Sequence, residues 1–261
     1  MRQIELVDPK AIGERVGNIK ISLEEIYGIV LPTDFEEIPP HSLYPTEAFL
    51  EKDKLALVFM KIIKEGYDVP IITISHRHNI FILDGHHRAY LFRKLARDKI
   101  DTYILRFPSD KPYRNIPKSN LEDLPIKEVV PIDDPILKTW GQMLTLLKYY
   151  EALYHIQFHL REEKVALNQL VPTQTYVTRK QVDSIKELLV PIACVQERDR
   201  FYILDGHARS IRAKEADLNT ISCIVLQPRA KVDFGIVKVS MRMNLRGLED
   251  LKILNTPQDR L

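Results

Sequence analysis

The sequence predicts a mixed α/β protein made of two tandem copies of one small unit. The string from Phe81 to Arg88 recurs from Tyr202 to Arg209, and both read as an apolar triplet, Asp-Gly-His, one variable residue and Arg. Upstream, Val69-Pro70 corresponds to Val190-Pro191 at the same distance before the motif. This agreement indicates an internal repeat, and strand-like runs that alternate with helix-like stretches indicate the mixed class.

The elements of the first copy follow from its periodicity. The Pro45-Thr46 turn comes first, and the apolar spacing from Lys52 to Lys64 predicts a helix. A short apolar strand then turns back through the polar residues His76 to Asn79, which predicts a hairpin whose second strand ends at the motif. From Gly85 to Arg97 the spacing predicts an amphipathic helix, and the β-rich run at Tyr103 to Leu105 closes the unit.

The second copy repeats this order. Its Pro172-Thr173 turn precedes a helix predicted from Lys180 to Leu189, and its hairpin turn falls at Glu197 to Arg200. The segment Leu121-Glu122-Asp123-Leu124, after the first copy, is echoed by Leu248-Glu249-Asp250-Leu251 after the second. The repeated unit could therefore include this segment as well.

A helical segment is predicted between the copies. Residues Asp134 to Glu163 carry Leu, Tyr and Trp140 at helical spacing, which predicts a long helix or a helical pair that packs on both units. The chain is therefore divided into an N-terminal domain at 1–125, a helical connector at 126–165 and a second domain with a C-terminal tail at 166–261.

Composition and charge exclude several classes of protein. The chain has 261 residues, 45% of them apolar, so it can bury a core. With 38 basic and 36 acidic residues the net charge is only +2, which gives no strong overall field for a nucleic-acid backbone or an anionic membrane. Two cysteines, Cys194 and Cys223, are too few for a disulfide scaffold or a zinc site, and we expect buried thiols. The charged residues at Met1 to Glu5 and the lack of a long apolar run predict a cytoplasmic protein without a membrane span.

The junction between strand and helix in the first copy is suited to phosphate. A helix that begins directly after a buried strand presents free backbone N–H groups and a partial positive charge, which together bind anions. Gly85 would let a ligand approach the backbone closely. His86, His87 and Arg88 add donors at the same end. We therefore predict that these four residues bind phosphate groups.

Two carboxylates accompany this junction. Asp84 would repel a phosphate unless a cation lies between them or the acid serves as a base, and both roles suit phosphoryl transfer with Mg²⁺. Asp84 is therefore predicted to be a catalytic residue and a Mg²⁺ ligand. Glu47 is predicted to be the second catalytic carboxylate, because it follows the Pro-Thr turn at a fixed place in the unit.

The second copy keeps the junction but not the whole set of candidate catalytic residues. The retained residues are Asp205, Gly206, His207 and Arg209. Gln174 stands where the first copy has Glu47, and Ala208 stands where it has His87. Since a Gln side chain cannot take a proton, this copy is interpreted as a scaffold or a regulatory unit, although its helix end could still bind an anion.

The motif of the first copy resembles that of a known superfamily. The string Ile82-Leu83-Asp84-Gly85-His86-His87-Arg88, with the Pro45-Thr46-Glu47 turn before it, resembles the ParB/sulfiredoxin superfamily and is most similar to its free serine kinases. The resemblance implies two tandem ParB/sulfiredoxin-like units joined by the helical segment. It also implies a kinase that transfers phosphate from ADP or ATP to a small-molecule hydroxyl such as that of L-serine. By the same resemblance Glu47 would be the base, Asp84 a second catalytic acid near Mg²⁺, and the junction with Arg88 the phosphate cradle.

Two other functions stay open at this point. A DNA-associated ParB-like protein, either a binding module or a weak nuclease, would use the phosphate contacts on a nucleic-acid backbone, and its binding would weaken steeply as salt rises. The second alternative is a pair of degenerate ligand sensors, for which replacing Glu47 by Gln would change little. The kinase hypothesis instead predicts that this replacement stops turnover.

Overall fold

The chain divides into two compact units, Met1–Gly141 and Gln142–Leu261. The computed structural model describes residues 4–114, 116–186, 188 and 190–255. Both units contain helices and a five-stranded sheet of mixed parallel and antiparallel strands, so the predicted mixed α/β class is confirmed. The finer division at residues 125 and 165 stays a prediction.

The first unit is built on one mixed sheet. Its elements in chain order are α1 (Ile12–Tyr27), β1 (Thr33–Ile38), β2 (Leu43–Tyr44), β3 (Leu50–Glu51), α2 (Lys52–Glu65), β4 (Ile71–His76), β5 (Asn79–Asp84), α3 (His86–Lys94), β6 (Ile100–Arg106), β7 (Ile126–Lys127) and the start of α4 (Pro135–Tyr154). The sheet has the strand order β1-β6-β4-β5-β2, and β3 pairs with β7 in a separate two-stranded ladder. Strands β4 and β5 form the predicted hairpin, closed by a pair between His76 and Asn79.

Local chemistry explains how this unit is assembled. The hairpin turn holds Arg77 and His78 at φ 48° and 66°, the backbone twist that suits a tight two-residue turn. Helix α1 packs its apolar face against the sheet, where Ile12 and Val16 form a buried cluster with Ile72. This packing brings the N-terminal half of α1 to the open end of the hairpin, where β5 ends at Asp84. The site described below lies there.

The second unit repeats the first. Its elements are the remainder of α4, β8 (Phe158–Ala166), β9 (Leu170–Val171), β10 (Tyr176–Thr178), α5 (Arg179–Asp183), β11 (Ile192–Glu197), β12 (Arg200–Asp205), α6 (His207–Glu215), β13 (Thr220–Pro228), α7 (Gly235–Arg242) and β14 (Lys252–Leu254). Its sheet order, β8-β13-β11-β12-β9, reproduces that of the first unit strand for strand. The predicted duplication is therefore confirmed.

The repeat is longer than its sequence core. Both echoed segments form a short 3-10 helix, Leu121–Asp123 and Leu248–Asp250, and each leads into a strand that pairs in parallel, β7 with β3 and β14 with β10. The expectation that the unit includes them is confirmed. The first strand of each five-stranded sheet along the chain, β1 or β8, was also not revealed by the sequence. Five of the six residues of β1 are exposed, so it lacks the alternation of apolar and polar residues that marks a half-buried strand.

Two predicted helices differ from those observed. The connector was expected to be helical from Asp134 to Glu163, but α4 ends at Tyr154 and residues from Phe158 onward form β8, so that part of the prediction is wrong. Helix α5 covers only Arg179–Asp183 of the predicted stretch, and the predicted end at Leu189 lies outside the described residues.

Helix α3 was expected to be amphipathic, and this is also wrong. It is surrounded on almost every side, since all of its residues except Arg93 are buried. A helix in such surroundings must pair its charged side chains inside the protein. Arg88 and Lys94 both do so, with Asp84 and Glu122 respectively.

The remaining expectations concern cysteines and membrane spans. Cys194 and Cys223 are both buried and free, as predicted. Burial raises the pKa of the Cys194 thiol well above its usual value. Within the described ranges, no helix has the length and apolar character that crossing a membrane requires.

Candidate functional site

The site is centred on the turn from β5 into α3. Ile72 pairs with Asp84 and Thr73 pairs with Ile82, so Leu83 is an extra residue on β5, a β-bulge. Bulges of this kind change the direction of the following side chain, here that of Asp84. The second unit has the same register shift at Ala193 and Cys194.

The backbone conformation and the packing of the junction both require a glycine at Gly85. Its φ of 100° is a left-handed conformation that L side chains rarely adopt. A Cβ there would also lie 2.7 Å from Ile71 Cγ2 and 2.8 Å from Arg88 Nη2. The Arg88 guanidinium passes over the glycine to donate to the carbonyls of Val69 and Pro70, at 3.3 and 3.0 Å, and to Asp84 Oδ2 at 3.0 Å. The glycine and the arginine therefore form one structural clamp.

This clamp gives a first testable prediction. We expect Gly85→Ala to lower the free energy of unfolding by about 3 kcal/mol or more, because backbone strain and overpacking act together. Gly66→Ala is the matched control, since Gly66 has a φ of 65° but no atom lies within 4 Å of the place that a Cβ would take. Backbone strain alone should cost roughly 1 kcal/mol there. Urea titration of both variants measures the difference, and equal losses would contradict the clamp.

His86 joins the two sequence motifs. Its Nε2 accepts the backbone N–H of Thr46 at 2.9 Å, and Thr46 Oγ1 donates to the carbonyl of Ile82 at 2.7 Å. In the second unit His207 Nε2 accepts from Thr173 N at 3.0 Å in the same way. The repeated Thr and His therefore fasten the Pro-Thr turn to the start of the helix in both copies. This attachment brings Glu47 to the junction.

Glu47 presents a partly exposed carboxylate beside that helix. Its side chain is 47% exposed, and Oε1 lies 3.3 Å from Nδ1 of the buried His86. Nδ1 makes no hydrogen bond with any described residue, so its contact with Glu47 is chiefly electrostatic. Because Nε2 already accepts a hydrogen bond, the proton of a neutral imidazole is on Nδ1, facing Glu47. Partial burial would raise the pKa of Glu47, but the interaction with His86 outweighs it and the pKa is lowered. Glu47 is therefore ionised at neutral pH.

His87 lies behind the same turn. Its Nε2 accepts the backbone N–H of Glu51 at 3.0 Å. Burial, aided by the charge of Lys54, lowers the pKa of His87 to about 4. The imidazole is therefore neutral at pH 7 and brings no positive charge to a phosphate.

Asp84 is held by two arginines. Besides the contact with Arg88, its carboxylate accepts from Arg15 Nε and Nη2, both at 3.1 Å. Burial would raise the pKa of Asp84, but the hydrogen bonds and charges of the two guanidinium groups lower it. Asp84 is therefore an anion that already has cationic partners.

All the predicted site residues line one cleft. It has a volume of about 720 Å³, within the range of small-ligand sites, and lies entirely in the first unit. The predicted residues on its wall are Glu47, Asp84, Gly85, His86, His87 and Arg88. Helix α3 begins at the cleft without a side-chain cap, so the positive end of its dipole faces this space. The predicted juxtaposition of Glu47 with the helix start is thus present. The predicted phosphate-binding roles of His86 and Arg88 stay predictions, because both side chains are engaged by the protein.

Sequence analysis missed two cationic residues of the cleft, Arg15 and Lys54. Arg15 is on α1, which precedes the repeated unit, and nothing in its local sequence connects it with Asp84. Lys54 is in the first turn of α2, where a lysine is ordinarily a solvated side chain. It forms no ion pair in the described part of the chain, and its charge acts on Glu47, Asp84 and His87. Only the fold could have identified either residue.

The cleft contains more acidic than basic side chains. Its carboxylates are those of Glu5, Asp8, Glu14, Glu47 and Asp84, and its cationic side chains are those of Arg15, Lys54 and Arg88. A polyphosphate without a bound cation would therefore be repelled by the net negative charge of the cleft, because at distances shorter than a Debye length salt does not screen this repulsion fully. A phosphate ligand in this cleft is expected to arrive with a cation.

Comparisons with known proteins give limited information. No protein-family sequence profile matches the chain. The uncharacterized protein MJ0188 of Methanocaldococcus jannaschii is 34% identical over 136 residues, which are 49% of this chain and 51% of the relative. The chain thus matches about half the length of this curated relative. The crystal structure of a protein from Agrobacterium tumefaciens aligns with 47% of this chain and 89% of its own, at 15% identity and a TM-score of 0.31, a similarity too low to carry an argument.

Proposed function

We propose that the chain is a nucleotide-dependent phosphotransferase that phosphorylates a small-molecule hydroxyl in the cleft of the first unit. The observation that carries the proposal is the position of Glu47. Its ionised, half-exposed carboxylate lies 3.3 Å from the buried His86 ring, in the same cleft as the uncapped start of α3. Under this proposal, a base for a hydroxyl group would lie beside a binding site for phosphate, as phosphoryl transfer requires.

The roles of the chain's own groups follow from this arrangement. The backbone N–H groups at the start of α3 would bind phosphate oxygens of the nucleotide. Glu47 would accept the proton of the acceptor hydroxyl as its oxygen bonds to phosphorus and the bond from phosphorus to the leaving nucleotide breaks. His86 would keep the carboxylate in place, because its ring is buried and tied to Thr46.

The side chains of the cleft could bind Mg²⁺ only together with the phosphates of a bound nucleotide. Among the described residues there is no group of three or more His, Cys, Asp or Glu side chains that would form a complete cage. Mg²⁺ usually binds through one or two carboxylates and the substrate phosphates, and Asp84 can supply one such carboxylate. When bound, the ion would neutralise phosphate charge, which the acidic cleft requires.

The acceptor and the compartment belong to the proposal as well. The resemblance to free serine kinases makes L-serine the first acceptor to test, and ADP and ATP are both candidate donors. Two buried free thiols suit the reducing conditions of the cytoplasm, where both nucleotides are abundant. The excess of carboxylates gives no support to a nucleic-acid backbone in this cleft.

Phosphoryl transfer can be tested directly. We expect wild-type protein with Mg²⁺ and ADP or ATP, radiolabelled in the terminal phosphate, to move the label to L-serine or to another hydroxyl compound of a metabolite extract. Chelation of Mg²⁺ should abolish the transfer. Absence of a labelled product with both nucleotides, across serine and the whole extract, would disprove the proposed function.

A further inference from the structure

We propose that Arg15 is the arginine that binds phosphate in this cleft, and that it leaves Asp84 to do so. This role rests on the proposed phosphotransfer at the same site. It concerns a residue outside the repeated unit, on a helix that comes before the first strand of the sheet. The resulting phosphate site would consist of Arg15, Lys54 and the start of α3.

Arg88, the arginine of the motif, has a structural role, because its guanidinium donates hydrogen bonds to groups of the protein. Its side chain is 5% exposed. Nη1 donates to two backbone carbonyls and Nη2 donates to Asp84. If Arg88 turned toward a ligand, the carbonyls of the buried Val69 and the partly buried Pro70 would lose their donor, which is costly for the protein. A second guanidinium is therefore needed for a bidentate grip on phosphate.

The second unit shows that Arg15 is not needed to build the junction. There Asp205 is paired with Arg209 at 2.6 Å, and the glycine and helix that follow have the same conformation as in the first unit. Asp205 has no counterpart of Arg15 among the described residues. One arginine is thus sufficient for the structure of the turn. Among the described residues, a second arginine on the Asp of the motif is found in the first unit alone.

Arg15 is able to change partners. Its side chain is 51% exposed, and it contacts Asp84 through Nε and Nη2. Because Arg15 is half exposed and Asp84 is 17% exposed, the pair is weaker than a fully buried one, and a phosphate can replace Asp84 as the partner of Arg15. The planar guanidinium fork matches phosphate oxygens, and Lys54 stands at the same cleft.

The exchange keeps the charges balanced. When Arg15 leaves, Asp84 retains Arg88 and gains a free edge on its carboxylate. A divalent cation that accompanies the phosphate can bind that edge, so the partly buried carboxylate is never left without a compensating charge. Arg15 and the cation would thus share the neutralisation of the phosphate. In the absence of ligand, Arg15 would occupy the place of that cation.

Isothermal calorimetry of three variants tests this role. Arg15→Gln removes the charge, Arg15→Lys keeps the charge without the fork, and Arg106→Gln is the control, because Arg106 pairs with Asp34 and Glu36 on the same unit away from the cleft. The ligands are pyrophosphate with Mg²⁺, ADP with Mg²⁺, and adenosine. We expect R15Q to weaken pyrophosphate and ADP by about 10- to 100-fold, R15K to be intermediate, and adenosine to be unaffected.

The outcomes separate this role from the proposed function. Unchanged pyrophosphate and ADP affinities in R15Q, with phosphoryl transfer intact in the wild type, would overturn the role of Arg15 and leave the phosphotransferase standing. Pyrophosphate binding that depends on Arg15, without any transfer, would support the anion site and overturn the phosphotransferase. Wild-type protein that binds neither pyrophosphate nor ADP, and that transfers no label from ATP, would overturn both.

Discussion

Glu47→Gln is expected to reduce phosphoryl transfer by about 100- to 10,000-fold, the range usual for loss of a general base. The amide keeps the shape of the side chain but cannot accept the proton of the acceptor hydroxyl. Nucleotide affinity should change little, because the phosphates are bound by the start of α3 and by cationic side chains. The measurements are initial rates of label transfer and, separately, calorimetric titration with ADP and Mg²⁺.

The second unit provides a natural precedent for this variant. Gln174 stands at the equivalent position, and its Nε2 donates to the carbonyl of Tyr176 at 3.0 Å. His207 remains fastened to Thr173 beside it. The turn therefore accommodates Gln in the second unit, and we expect Glu47→Gln to fold with the stability of the wild type, which urea titration of the variant checks.

Glu37→Gln is the control for the loss of a carboxylate. Glu37 pairs with Lys99 on the surface of the same unit, outside the cleft. This variant should transfer phosphate at the wild-type rate. If Glu47→Gln also retained the wild-type rate, Glu47 would not be the base, and the alternative of a ligand sensor would gain support.

The sequence was informative where a chemical motif and a repeat coincided. The duplicated Asp-Gly-His-x-Arg string contains a glycine, and in both units that glycine adopts the left-handed conformation. The string therefore identified the same strand-to-helix junction in both units. Where a strand lacks a buried face, as β1 does, no periodicity was available. At Phe158–Ala166 only Phe158 and Leu160 have the two-residue spacing of a strand, because Val165 follows after a polar stretch, and the adjoining Leu- and Tyr-rich helix masked the change of period.

At the site, the sequence predicted residue types better than their directions. Glu47 and the helix start are brought together as predicted. His86 and Arg88 were selected as ligand donors, yet His86 accepts from Thr46 and Arg88 donates to backbone carbonyls. A sequence cannot show which way a side chain points. Arg15 could not be found at all, because its partner lies 69 residues further along the chain.

A second large effect is expected from a buried ion pair that holds the end of α3. Lys94 is 0% exposed and its Nζ lies 3.1 Å from Glu122 Oε1, while Arg93 Nε donates to Glu122 Oε2 at 3.0 Å. Glu122 belongs to the 3-10 helix that follows the repeated core. The ion pair therefore attaches the 3-10 helix Leu121–Asp123 to α3, the helix that begins at the cleft.

Glu122→Ala is expected to lower the free energy of unfolding by about 3 to 5 kcal/mol, because it leaves the Lys94 ammonium buried without its carboxylate. Glu65→Gln is the matched control: Glu65 pairs with Lys61 at the surface, and its loss should cost at most about 1 kcal/mol. The measurement is the unfolding free energy from urea titration.

A double variant separates the buried charge from the loss of packing. Lys94→Met with Glu122→Leu replaces both members of the pair with apolar side chains of similar volume, which should recover most of the stability. If the double variant were as unstable as Glu122→Ala, packing would be the cause and not the uncompensated charge. If Glu122→Ala cost no more than Glu65→Gln, Lys94 would have to reach water or another carboxylate. Such relaxation would mean that the end of α3 can move away from the 3-10 helix.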